Sequence, residues 1–283
     1  MAGFLWRLWK WLLHLVTGRC EIYRLAVWSA PIQQRAWSIR RSLEVSHIKT
    51  LSDVVTAREL GVTEALEVIA SAKKIPSEQR HQFEESLRPC VVRIRSVKSL
   101  FCQVEDLRTQ SFSKENHQHE AMLLELWSML YPSVELEDRI TKQWQDIGFQ
   151  GNDPATDFRG MGMLGLTCLH YFSRSHGDTA RSVLSHSHHP RYGYPYAIVV
   201  INLTSLGHGW LKEGRLDKYL YWEEEQRDHT FYEIIGSLVV RFDGYWMKSE
   251  PENVMAFPQV REAFAAELGA QLNTDDSLTL SVN

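Results

Sequence analysis

Strand patterning is nearly absent from this chain. Across 283 residues there are few alternating apolar and polar runs bounded by turn residues, which argues against a sheet-based fold. Cysteine is scarce as well. Cys20, Cys90, Cys102 and Cys168 are widely scattered and form no Cys-x-x-Cys pair, which fits reduced intracellular thiols better than a disulfide framework or a zinc site. There is no basic surplus: 31 Lys and Arg stand against 35 Asp and Glu, for a formal charge of -4, so a nucleic-acid footprint is not expected. No Gly-Lys pair occurs anywhere, which excludes a P-loop and with it an autonomous GTPase. Neither a G-x-S-x-G elbow nor an EF-hand loop is present. His117 and His119 stand beside Glu120 without forming H-E-x-x-H, and read as capping or surface groups. His186, His188 and His189 precede Pro190 without the spacing of a zinc pattern, and read as polar turn residues rather than ligands. A self-contained hydrolase has little support, and no cofactor is expected.

What the chain does have is apolar content at helical spacing. At 44% hydrophobic residues it can bury a sizeable core. Leu123, Leu126, Trp127 and Leu130 make one buried stripe. Tyr194 to Leu211 is a long apolar helix, and Phe231, Ile234, Ile235, Leu238, Phe242, Tyr245 and Trp246 make a further stripe. The expected fold is all-α. Pro89 should bend or divide its helix, and Arg93 and Arg95 suit a helix surface. Thr109 to Asn116 is polar and without period, the expected linker. These features divide the chain into an N-terminal helix over 1–18, a helical region over 19–112, a main domain over 113–272 and a loose tail over 273–283.

Phe4 to Val16 carries Arg7, Lys10 and His14 on one helical stripe, with Leu5, Leu8, Leu12 and Val16 largely opposite and three tryptophans among them. No acid occurs before Glu21. Such a segment suits an anionic membrane surface. It suits docking on the core through its tryptophans equally well. It falls short of the ~20 apolar residues a spanning helix needs. Mitochondria, endoplasmic reticulum and lipid droplets all fit an intracellular surface of this kind.

The densest stretch is Arg139 to Leu166. Ile140, Trp144 and Ile147 recur at helical spacing before Gly148 and Gly151 break the pattern, and Trp144, Ile147 and Phe149 read as core anchors. Asn152, Asp153, Pro154, Thr156 and Asp157 are turn and helix-start residues, and a second apolar helix pattern opens at Phe158. Arg159 therefore sits at a loop-to-helix junction, with Gln150, Asp153 and Asp157 on the same loop. Two readings follow from spacing. Arg159 either projects its guanidinium outward or ties the loop down through Asp153 or Asp157. Gly160, Gly162 and Gly165 match G-x-G-x-x-G, but a turn rather than a strand precedes them, so they read as small residues admitting a neighbouring helix.

Trp144-Gln-Asp-Ile-Gly-Phe-Gln-Gly-Asn-Asp-Pro-Ala-Thr-Asp-Phe-Arg-Gly-Met-Gly-Met-Leu-Gly165 resembles the signature of the ELMO (engulfment and cell motility) domain, in its short ELMO-domain-containing branch. Weaker matches cover Leu15 to Glu21, His117 to Leu124 and Tyr196 to Thr204. The resemblance implies a GTPase-activating protein for Arf and Arf-like small GTPases, with GTP and magnesium belonging to the partner. It also implies that Arg159, the arginine of Asp-Phe-Arg-Gly, is the finger inserted in trans. Gln150, Asp153 and Asp157 would support the finger or simply scaffold the loop. The large engulfment adaptors of this family lack that arginine and work with exchange factors. A non-catalytic adaptor for a GTPase or its exchange factor is thus the alternative.

Overall fold

Local apolar periodicity is realised as helix, and no strand occurs among the described residues, so the fold is all-α. The computed structural model describes residues 12–13, 16–221, 227–274 and 280–282. Most of the basic amphipathic segment 4–16 and most of the tail beyond Asn273 lie outside them.

The chain folds into two compact units. The first is residues 1–102 with 217–227; the second is 103–216 with 228–283. In the first, α1 (Glu21–Ala26), α2 (Ile32–Glu44), α3 (Lys49–Thr56) and α4 (Val62–Ala72) pack in succession. Their buried faces carry Ile22, Ala36, Ile39, Leu43, Leu51, Val54, Leu66 and Ile69. The next helix, α5 (Ser77–Thr109), passes through Pro89 without a break. Proline removes one N–H from the ladder. Here Phe83, Leu87, Cys90, Val91 and Ile94 are buried on both sides of it, so packing holds the helix together. Arg95 is not a surface residue as its spacing suggests. It is buried and donates to the carbonyls of Val54, Ala57, Arg58 and Leu60, at 2.8–3.2 Å. Val54 lies in the last turn of α3, where carbonyls lack partners within the helix, and this guanidinium satisfies it together with three carbonyls of the chain just beyond.

The second unit is built around α7 (Gly162–Ser175), which packs on α6 (His117–Leu130), α8 (Gly177–Ser187) and α9 (Tyr196–Lys212). Ten of its fourteen residues are buried, as expected of a helix enclosed by neighbours on several sides. In α11 (Arg227–Ser249), Phe231, Ile234, Ile235, Leu238, Phe242 and Trp246 are buried, the stripe read from the sequence. The final helix, α12, runs over Phe257–Thr274, and Leu280 beyond it is buried. The short α10 (Asp217–Leu220) belongs to the first unit, where Asp217 pairs with Arg40.

The expected linker is packed. Phe112 stacks on Phe158 with ring centroids 5.9 Å apart, and the Gln110 carbonyl accepts from Met163 N–H at 2.9 Å. A polar stretch without period can still be ordered when neighbouring elements take up its backbone groups. His119 is likewise not a surface group. It is buried, and its Nδ1 accepts the Ser113 N–H at 3.1 Å.

Candidate functional site

The segment from Arg139 to Gly165 is shaped by two 3-10 turns rather than by one helix running into another. The first covers Lys142–Asp146, capped by Thr141; the second covers Pro154–Gly160, capped by Asp153. Ile140 is exposed, off the expected stripe, and α7 opens at Gly162 rather than Phe158. Proline after an aspartate cap favours a tight first turn, and the left-handed Gly162, at φ +51°, separates that turn from α7.

The loop between the turns rests on a ladder of aromatic rings. Trp144 meets Trp127 edge-on at 5.7 Å, Phe149 meets Trp144 at 5.9 Å, and Phe158 meets Phe149 at 5.7 Å. Trp144, Ile147 and Phe149 are all buried. Gly148, at φ +91°, lies so close to the start of α9 that an added Cβ would stand 2.6 Å from the Pro195 carbonyl carbon. The same contact lets the Ile147 carbonyl accept from Ala197 N–H at 3.0 Å.

Polar ties complete the frame, and a residue given no role from the sequence makes the chief one. Arg139 Nε donates to Glu120 at 2.6 Å and its Nη1 to Asp153 at 3.0 Å, while the guanidinium lies 5.6 Å from the Phe112 ring. Burial pulls the Arg139 pKa down, but the hydrogen bonds and charges of Glu120 and Asp153 outweigh it and leave the pKa above its ordinary value. The Asp153 carboxylate also caps the second turn, accepting from Ala155 N–H at 3.1 Å. Asp157 accepts the Gln150 N–H at 2.8 Å, and burial holds its carboxyl above the usual carboxylate range. Arg139 could have been suspected from its place at the head of the dense stretch, but spacing alone does not pair it with Glu120.

Arg159 is exposed at the end of the second turn, beside the exposed Gly160. Among the described residues its guanidinium makes no hydrogen bond or ion pair; its only interaction is a longer-range attraction to Asp157. The Gln150 side chain is exposed on the same loop. The loop is therefore tied by Arg139, and Arg159 is left with five unengaged donors. Such a group can offer a planar fork to an anion brought from outside.

The glycine pattern Gly160, Gly162, Gly165 acts at one position. At Gly162 a Cβ would stand against the carbonyl oxygens of Arg108, Gln110 and Leu107, whereas Gly160 faces open space and Gly165 makes ordinary side-chain contacts. The histidines do not converge either. His186 bonds Asp243 at 2.7 Å, His188 meets the Asp146 carbonyl at 2.7 Å, and His189 accepts the Tyr192 N–H at 3.0 Å.

Residues 102–261 match the model of the ELMO/CED-12 family. The chain is 40% identical to ELMO domain-containing protein 2 of Mus musculus, over 98% of this chain and 96% of that protein. It is 37% identical to ELMO domain-containing protein 1 of Bos taurus, over 96% and 90%. It is 31% identical to ELMO domain-containing protein B of Dictyostelium discoideum, over 94% of each.

Proposed function

Because the chain belongs to the ELMO/CED-12 family, we propose that it activates GTP hydrolysis on an Arf-family or Arf-like small GTPase, with Arg159 as the finger supplied in trans. The observation that carries this reading is the exposed, unengaged guanidinium at the end of a 3-10 turn whose own polar ties are made by other residues. As the bond between the β- and γ-phosphates loosens, negative charge accumulates on the phosphate oxygens. An arginine fork placed there stabilises it and helps exclude water. A finger that made ion pairs within its own chain would have to break them first. Among the described residues Arg159 has none to break. The nucleotide and magnesium belong to the partner, so the chain completes another protein's active site rather than holding one of its own. Residues 4–16 suit an intracellular membrane surface, where GTP-loaded partners would be met.

Single-turnover hydrolysis by a panel of GTP-loaded Arf-family proteins tests the reading with Arg159→Ala and Arg159→Lys. Finger contributions run to roughly 10³–10⁵ in rate, and lysine's hydrated point charge does not replace the fork. Both variants should lose stimulation while keeping fold and partner affinity, since the finger acts mainly on charge that develops in the transition state. Wild-type stimulation by a folded, partner-binding Arg159→Ala protein would overturn the assignment. Binding by the wild type with no acceleration of any partner would make the chain an adaptor.

A further inference from the structure

We propose that the first unit carries its own membrane-contact surface, formed by the outer stripe of α2 and the segments flanking it, and that this surface lies on an anionic bilayer. The first observation is where exposed apolar side chains are found. Trp28 and Trp37 are 48% and 42% exposed, Val45 is 67% exposed, and Val27 and Ile48 are also exposed. Buried residues of α2 fall at Gln33, Ala36, Ile39 and Leu43, so Trp37, Arg41 and Val45, four apart, share the opposite face. The Arg41 guanidinium lies 5.4 Å from the Trp37 ring, which fixes the two on one stripe.

The second observation is charge, and it identifies the occupant. The first fifty residues hold eight Lys and Arg against two Asp and Glu; the rest of the chain holds twenty-three against thirty-three. Of the two acids, Glu44 pairs with Arg40 at 2.8 Å and Glu21 accepts from Ser42 at 3.1 Å. Arg41 and Lys49 have no carboxylate partner among the described residues, so their charge is available to an external anion. An α-helix of this length spans about 20 Å. It would present tryptophan rings at headgroup depth with basic heads among anionic lipids, the arrangement of an interfacial helix lying in the membrane plane. Positive charge concentrated in this segment of an otherwise acidic chain favours an anionic surface as the occupant.

The test is sedimentation of the full chain with phosphatidylcholine vesicles containing about 30% phosphatidylserine, against pure phosphatidylcholine. Arg41→Gln with Lys49→Gln should weaken partition about 25-fold, at roughly fivefold for each basic residue near such a surface. Trp28→Ser with Trp37→Ser should weaken it at least about tenfold through lost apolar burial. Met255→Ser, an exposed position of the second unit, should change nothing. If the tryptophan pair lowers the melting temperature, the charge pair decides, because those two side chains are not part of the packed core. Wild-type partition by both double variants would overturn the proposal. If Arg7→Gln with Lys10→Gln alone abolishes binding, residues 4–16 are the whole anchor and the α2 surface is not one. A concentration-dependent dimer that the double variants lose, with vesicle binding unchanged, would also overturn it and make the face a contact between copies.

Discussion

Replacing Arg139 by glutamine would remove the tie that holds the loop and leave Arg159 untouched. Arg139, Glu120 and Asp153 are 24%, 18% and 38% exposed, so the pairs are neither surface pairs nor fully enclosed. Exposed ion pairs contribute ~0.2–1 kcal/mol, while breaking an enclosed one costs ~3–5 kcal/mol. The expected cost here is ~2 kcal/mol, with ~0.5 kcal/mol more for the contact with Phe112. For a domain of this size that is a fall in Tm of roughly 5–10 °C. The Glu120 carboxylate would be left half-enclosed without its cation, and Asp153 would cap the second turn unsupported. Hydrogen exchange should then speed at the Gln150 and Ala155 amides, which Asp157 and Asp153 hold. Stimulated hydrolysis should drop even though the finger is present, with the loss in maximal rate rather than in partner affinity. Arg139→Lys should recover part of the Tm but less of the rate, because one ammonium does not reproduce the fork that bridges both acids. A cycle with Asp153→Asn should show a coupling of ~0.5–3 kcal/mol. An Arg139→Gln protein that melts with the wild type and exchanges those amides at the wild-type rate would refute the reasoning.

Gly162→Ala should cost at least ~3 kcal/mol by thermal or urea unfolding, since it joins a left-handed φ to a Cβ set against backbone carbonyls; Gly160→Ala, facing open space, should stay within ~0.5 kcal/mol. Hydrogen bonds from Arg108 and then His208 hold the Glu105 carboxyl at about 2, well below its ordinary value of 4.5. A depressed carboxylate contributes stability above its ordinary value and loses it as pH falls towards the folded one. Glu105→Gln should therefore be destabilised by ~1–2 kcal/mol at pH 7, discounted for the carboxylate's 32% exposure, and the gap to wild type should close between about pH 4.5 and 2.

Much of the second unit was legible in the sequence because helical periodicity is a local property. The stripes on α6 and α11 need only neighbours three and four residues away, and both are buried as read except for the half-buried Tyr245. Trp144, Ile147 and Phe149 were legible for a related reason: large apolar side chains beside a glycine-rich break have to be buried if the loop is to be ordered. Three misreadings come from contacts that local spacing does not show. Arg95 looks like a surface residue until the carbonyls of 54–60 are brought to it, and Pro89 looks like a possible division until packing on both sides carries α5 through it unbroken. Residues 109–116 look like a linker until Phe158 and Met163 meet them.

The clearest division falls at Asp153. From the sequence, Arg159, six residues away, is the arginine read against it, while Arg139, fourteen residues away, is given no role. Proximity along the chain therefore favours Arg159 as the loop's own counter-ion. The sequence determined that an arginine would stand at the junction of loop and helix, because Asp-Pro starts a turn there and the apolar pattern resumes just beyond it. Which arginine the carboxylate would hold depends on distances that only the packed aromatic ladder sets. That ladder brings Arg139 between Glu120 and Asp153. It leaves Arg159 exposed, with no hydrogen bond or ion pair among the described residues.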